Sequence, residues 1–339
     1  MSRKANLTSA KNKKNDEHYT RRIDVENELK HYKHHFKNKT VYCNCDDPDW
    51  SSFWKYFSLK FESLGLKKLV SVHYEADKPS YMLQIFKDVN NDGRVNYLDK
   101  VKIDLKGSGG FETEECIEIL KEVDIVVTNP PFSLFREYLK QLMDYKKKFL
   151  IIGNLNAVTY KEVFPLIKEN KIWLGVTSPK EFTNPEGGIT KFGNIGWFTN
   201  LTHKNRHEGL FLSECYTEDK YKKYVNYDAI EVFKTGNEIV KNTPKDYYQV
   251  MGVPISFLLN FNPDQFEIVG LGNSKKNFTP NKTLTNVKKI KTNGKVENGN
   301  AINCVLALEV DEAPNKTYYT SDDHKYLIAP YARILIKRK

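Results

Sequence analysis

The sequence lacks what a membrane or an oxidising compartment would demand. No apolar run among its 339 residues is long enough to cross a bilayer, and mean hydropathy is −0.60, which excludes an integral membrane protein. The opening stretch MSRKANLTSAKNKKNDEHYT contains no apolar core followed by small residues, so cytoplasmic residence and no membrane partner are expected. Five cysteines, Cys43, Cys45, Cys116, Cys215 and Cys304, form no CxxC pair; their odd number argues against a disulfide framework and the missing pairs against a zinc ribbon. Fixed-period repeats and low-complexity tracts are also absent. What is present is basic and aromatic. Lys and Arg total 53 against 43 Asp and Glu, a net charge of +10 that points toward a polyanionic partner without naming it. Aromatic residues make up 13% of the chain, too many for a disordered one, and the length suggests two domains at about 150 residues each.

Along the chain a polar, lysine-rich arm runs to about Asn15. Val25, Leu29, Tyr32 and Phe36 recur at helical spacing, and the apolar run Val41–Cys43 then reads as a strand. The alternation continues: helix Trp50–Leu64, strand Leu69–Val72, helix Glu114–Lys121, strand Asp124–Thr128, helix Ser133–Tyr145, strand Phe149–Ile152, helix Tyr160–Lys168, and strands Ile172–Val176 and Ile195–Asn200. Strands alternating with helices predict an α/β domain with a mainly parallel sheet over residues 1–201. From about 202 to 339 the alternation fades into Asn-rich, charged sequence with short apolar runs, which predicts a smaller α+β region.

Asn129-Pro130-Pro131-Phe132 follows directly on the strand Asp124–Thr128. In open α/β sheets ligands bind beyond the carboxyl ends of strands, so the tetrapeptide stands where an active site is expected. Two prolines fix their φ angles and carry no N–H, leaving a stiff loop with free carbonyls. An exocyclic amine on a heteroaromatic ring is a poor nucleophile because its lone pair is delocalised. Acceptors from the Asn129 side chain and the Pro130 carbonyl would hold both N–H bonds and localise that pair for attack on a methyl group. Phe132 offers a face on which an extruded base can stack. The plain alternative is a strand-to-helix turn whose prolines only begin the helix. No Pro-Cys nucleophile of the kind used at cytosine carbon-5 occurs.

The NPPF loop, with Asp16–Thr20 (DEHYT), Val41–Pro48 (VYCNCDDP), Asp124–Arg136 and Phe149–Asn154, resembles the EcoRI-type adenine-specific (N6) DNA methyltransferases. The likeness continues through Gly252–Ser256 and Tyr331–Ile334. It implies a Rossmann-like domain that binds S-adenosyl-L-methionine and a target-recognition, DNA-binding region downstream. The partner implied is double-stranded DNA, with a cognate restriction endonuclease acting on the same site as a possible second. Catalysis would rest on Asn129, Pro130, Pro131 and Phe132. Tyr19 and Thr20 would contact the methionine end of the cofactor, although Thr20 and Asp24 also suit a helix start. Cys43, Asn44, Cys45, Asp46 and Asp47 would form the first cofactor loop, the two acids receiving the ammonium group; most methyltransferases place glycines there and this chain has none. Glu75 would bind the ribose hydroxyls, and Gly110-Phe111 match the third cofactor motif with Gly110 in place of its usual Asp.

Asp88–Asp99 matches a calcium loop at positions one, three, five and six and ends on an acid, but its β-like flanks and the Asp92-Gly93 turn signal favour a hairpin insertion. No metal is expected. His31, His34 and His35 alternate with lysines and read as a basic helix face. Seven lysines between Ser274 and Lys295 with no acid among them, including Lys275, Lys276, Lys288 and Lys289, are either phosphate contacts or a solvated loop. Two rival functions stand beside the DNA adenine enzyme: a methyltransferase for RNA adenine or protein glutamine, and a DNA-binding protein whose cofactor site has decayed.

Overall fold

The computed structural model describes residues 19–45, 47–76, 78–184, 187–233, 238–272 and 278–339. Asp46, Lys275, Lys276 and the 16–18 part of the N-terminal motif lie outside them. The chain divides into two compact units, up to Lys204 and from Asn205.

The first unit opens with β1 (Tyr19–Thr20), α1 (Arg22–Leu29), β2 (Thr40–Cys43), α2 (Ser52–Leu59), α3 (Phe61–Leu64) and β3 (Lys68–Val72). It continues through β4 (Tyr81–Ile85), β5 (Val101–Asp104), α4 (Glu114–Glu122), β6 (Ile125–Thr128), α5 (Phe135–Asp144), β7 (Lys148–Asn154) and α6 (Phe164–Lys168). Strands β8 (Trp173–Leu174), β9 (Glu181–Thr183), β10 (Ile189–Lys191) and β11 (Ile195–Thr199) complete it. Eight strands form one sheet in the order β5-β4-β3-β2-β6-β7-β11-β8. Its centre, β3-β2-β6-β7, is parallel, whereas β4, β5, β11 and β8 pair antiparallel at the edges. The sheet is therefore mixed rather than mainly parallel: β3, β4 and β5 follow one another by direct returns, and at the other edge β11 comes back between β7 and β8 after the β9–β10 segment.

Alternation explains the core. Val41 and Cys43, Ile125 and Val127, and Leu150 and Ile152 share a buried cluster with Val25 and Leu29 of α1 and Phe53 and Phe57 of α2. The intervening Tyr42, Val126 and Ile151 are equally buried. Central parallel strands covered on both faces must be apolar throughout, and burying each large side chain contributes about 1.5–3 kcal/mol.

Local chemistry sets the helix ends. Ser51 caps α2 by accepting from the Trp54 N–H at 3.1 Å, and Gly65 closes α3 at φ +63°, a conformation suited to glycine. The expected helix from Tyr160 shortens to α6 because Pro165 is confined to a first turn. The helix over residues 24–36 stops at Leu29 and resumes as a 3-10 turn at Lys33–His35, with Tyr32 between donating to the buried Glu28 at 2.9 Å. Glu28 also accepts from the Val176 and Thr177 N–H groups at 2.8 and 2.7 Å; burial pushes its carboxyl above the ordinary range, against those bonds.

The Asp88–Asp99 segment lies in the β4–β5 hairpin, whose register pairs Tyr81 with Asp104. Its turn is longer than a two-residue Asp-Gly loop. Asp88 accepts from Asn91 and Gly93 N–H groups at 2.7 and 2.9 Å, and buried Asp99 from Val89 and Asn96 at 2.8 and 2.9 Å. Among the described residues no group of three or more His, Cys, Asp or Glu side chains could hold a metal ion, and no helix is long and apolar enough to cross a membrane.

The second unit contains a four-stranded sheet, β12-β13-β20-β14, formed by β12 (Ile230–Glu231), β13 (Met251–Pro254), β14 (Phe266–Leu271) and β20 (Arg333–Arg338). A five-stranded sheet, β16-β15-β18-β19-β17, is built from β15 (Lys288–Ile290), β16 (Val296–Asn298), β17 (Leu308–Glu309), β18 (Tyr318–Thr320) and β19 (Leu327–Ile328). Its described α-helical content is one four-residue turn, Glu238–Lys241, so the regular structure of this unit is mainly strand.

Candidate active site

Adjacent parallel strands deliver their carboxyl ends side by side, so residues after Cys43 on β2 and after Thr128 on β6 emerge together. The Cys45 N–H donates to the Thr128 hydroxyl at 3.1 Å, tying the first loop to the residue before Asn129. Asn44 is 3% exposed, and its side-chain oxygen accepts from the hydroxyl of Tyr138, a fully buried residue of α5. Burial pushes the Tyr138 phenol well above its ordinary range, so it remains a donor. On the other side the Ser71 hydroxyl donates to the Cys43 carbonyl at 2.7 Å. Side-chain bonds from three elements thus fix a loop without glycine.

Neighbouring segments close a ring around it. His73, just beyond β3, lies 3.2 Å from Asp47 and 3.6 Å from Glu75 through its two ring nitrogens, and stacks on Tyr81 at 4.8 Å. The Glu75 N–H donates to the Ser108 carbonyl at 3.0 Å. Gly109 sits at φ +78°, and a Cβ there would come within 2.1 Å of the His73 carbonyl, so only glycine permits this approach. Phe111 meets the Tyr138 ring edge-on at 5.0 Å, and its carbonyl accepts from Gln141 of α5 at 3.0 Å. The structure therefore brings Asn44, Cys45, Asp47, Glu75, Gly110 and Phe111 around the end of β6.

Asn129 is 8% exposed and Pro130 is buried. The Pro131 carbonyl accepts from the Leu134 N–H at 2.9 Å. Among the described residues no donor reaches the Pro130 carbonyl, the acceptor the amine would need. A 3-10 turn over Phe132–Leu134 precedes α5, so the α-helix starts two residues later than its pattern suggests. Half-buried Phe132 meets Phe182 and Phe192 edge-on at 6.4 and 5.8 Å.

Tyr19 and Thr20 stand apart from that ring. They pair with Thr183 and Phe182 across β1 and β9 and line a cleft of about 520 Å³ with Arg22, Trp50 and Ser52. Asn129 and Phe132 do not line this cleft; Phe182, next to Thr183, links it to Phe132. Thr20 is 1% exposed, and its hydroxyl has no hydrogen-bond partner among the described residues. Sequence reasoning missed Thr128, Tyr138, Gln141, His73 and Gly109. One signal was available: Tyr138 lies in the apolar stripe Phe135, Tyr138, Leu139, Leu142, and a buried phenol requires a partner.

The family model of the EcoRI adenine-specific methyltransferases matches residues 6–339. The chain belongs to that family. It is a DNA adenine methyltransferase. It is 47% identical to the type II methyltransferase M.EcoRI of Escherichia coli, over 78% of this chain and 88% of the relative. Identity is 39% to M.MpnI of Mycoplasma pneumoniae, covering 77% and 83%, and 38% to M.MgeORF184P of Mycoplasma genitalium, covering 77% and 84%. No solved structure matches the chain significantly.

In this methyltransferase Lys288 and Lys289 lie on β15 of the second unit, and successive strand residues face opposite ways. Lys289 is paired in register with Glu297, whose carboxylate also holds Lys291 at 2.7 Å and Lys295 at 3.2 Å. These lysines pull the Glu297 carboxyl below its ordinary range. Glu297, just past the lysine run, is thus folded back against it, while Lys288 pairs with Asn298 on the other face.

Proposed function

We propose that the protein is a site-specific methyltransferase of double-stranded DNA that modifies N6 of an adenine turned out of the duplex, with S-adenosyl-L-methionine as methyl donor. The observation that carries this reading is the placement of Asn129–Phe132 beside the 43–47 loop, joined through the Cys45–Thr128 hydrogen bond. The Asn129 side chain and the Pro130 carbonyl accept the two N–H bonds of the target amine and localise its lone pair, and Phe132 stacks on the extruded base. No general base of unusual pKa is needed.

The first unit fits the cofactor on two counts. Thr20, whose buried hydroxyl has no hydrogen-bond partner among the described residues, lines a cleft, and the 43–45, 73–75 and 107–111 segments converge beside the motif. Tyr19, Thr20, Cys43, Asn44, Cys45, Asp47, Glu75, Gly110 and Phe111 would hold it, with Asp46 joining by resemblance. When bound, S-adenosyl-L-methionine supplies a methyl group activated by the sulfonium. We read the eight-stranded sheet as Rossmann-like, residues 1–201 as the catalytic domain and 202–339 as the target-recognition region, where Lys288 contacts phosphate. Such an enzyme works in the cytoplasm, where a cognate restriction endonuclease would share its site. Mass spectrometry of nucleosides from DNA methylated by the pure protein tests the reading. N6-methyladenine is expected, and 5-methylcytosine or an unmodified product would overturn it.

A further inference from the structure

The cofactor's adenine ring presents a 6-amino group, and a site that distinguishes it from other purines needs an acceptor beside the ring. Resemblance places Phe111 against that ring, yet the position before it is Gly110, without a side chain. The backbone acceptors of Gly110 and Phe111 are occupied. The Gly110 carbonyl accepts from the Thr113 N–H at 2.9 Å and the Thr113 hydroxyl at 2.8 Å, and the Phe111 carbonyl from Gln141 at 3.0 Å.

Glu112 supplies what remains. If Gly110 carried a Cβ, the Glu112 carboxylate oxygens would lie 3.1 and 3.2 Å from it. A carboxylate at 110 would begin one bond, about 1.5 Å, beyond that Cβ, so Glu112 closes on the space such a group would fill. The side chain is exposed, and among the described residues it forms no hydrogen bond or ion pair. Glu112 directly precedes Thr113, which caps α4 by accepting from the Cys116 N–H at 3.4 Å, so its backbone is anchored while its carboxylate stays open.

We propose that Glu112 accepts the hydrogen bond of the 6-amino group of the bound cofactor, replacing from two residues downstream the acid missing at Gly110. This rests on the cofactor reading given above. A charged acceptor of an N–H is worth roughly a 10-fold change in affinity or more.

Calorimetry on the intact protein tests it with two probes: S-adenosylhomocysteine and its analogue bearing hydrogen in place of the 6-amino group. Glu112→Ala should weaken S-adenosylhomocysteine about 10-fold and leave the affinity for the analogue unchanged. Glu112→Gln, which retains an uncharged acceptor, should lose less. Adding Gly110→Asp to Glu112→Ala should recover most of the lost affinity, which a role in folding alone would not allow. Equal losses on both probes, or no loss on either while the parent protein binds, overturn the assignment of Glu112 and leave the cofactor reading standing. Failure of the parent protein to bind S-adenosylhomocysteine overturns both.

Discussion

Two loops leave the carboxyl ends of neighbouring strands and are made rigid by different means. After β6, Pro130 and Pro131 stiffen the chain covalently, by fixing φ within the residues themselves. After β2, residues 44–47 include no proline or glycine, and the loop is held by the Thr128 hydroxyl, the Tyr138 phenol and, at its root, the Ser71 hydroxyl. The first device acts wherever the residues occur. The second exists only once α5, β3 and β6 are in place, so the loop after β2 and the NPPF loop share one support, with Tyr138 nine residues beyond Asn129 on the same chain segment. A decayed cofactor site is one reading of the missing glycines; replacement of glycine flexibility by side-chain bonding explains them without decay.

The largest effect should come from the proline-stiffened loop. Asn129→Ala should reduce single-turnover methylation by about 100-fold or more, because it removes an acceptor aimed at the reacting amine. S-adenosylhomocysteine binding should stay near the parent value; near-normal turnover would take Asn129 out of the mechanism. Phe132→Ala should weaken capture of the extruded base by about 1–3 kcal/mol if stacking here matches that of single-strand binders. A base-analogue fluorophore at the target position reads this. Since Phe132 also packs on Phe182 and Phe192, Phe132→Tyr should retain most of the signal, and equal loss in both variants would mark the residue as packing only.

The loop held by side chains gives a smaller but more diagnostic response. Tyr138→Phe keeps the ring against Phe111 and removes the main donor to Asn44, leaving its buried oxygen only the weak Cys45 thiol at 3.6 Å, which should cost about 1 kcal/mol of folding stability. Denaturant unfolding measures that cost, and weaker S-adenosylhomocysteine binding should accompany it. A variant as stable as the parent would show that the loop does not depend on this bond. The smallest effect lies in the second unit. Lys288→Ala should reduce the salt slope of DNA binding by about one, with the preferred sequence unchanged. Lys289→Ala should change it less, since Lys289 faces Glu297. Equal slopes for parent and Lys288→Ala would make the face a solvated surface.

Strand positions 41–43, 69–72 and 149–152 and the NPPF loop were legible because continuous apolar runs and prolines carry their meaning locally. The β4–β5 hairpin was legible from its β-like flanks and turn signal, but the antiparallel pairing of β11 with β7 and β8 was not, because an apolar run looks the same whichever way its neighbour points. The faces of the lysine run were not legible either, because sequence order does not show that β15 alternates them or that the hairpin brings Glu297 across from Lys289.

By itself, the sequence determined the order of the central strands β2, β3, β6 and β7 and of the helices between them, the proline-stiffened loop at the end of β6, and the family, since each rests on residue type and short-range spacing. Only the tertiary structure decided how the loop after β2 is held, which lysines remain open, and that Glu112 closes on the space at Gly110. Those outcomes depend on hydrogen bonds and close approaches between residues from two to almost a hundred positions apart, and no local pattern encodes which side chains meet once the sheet has assembled.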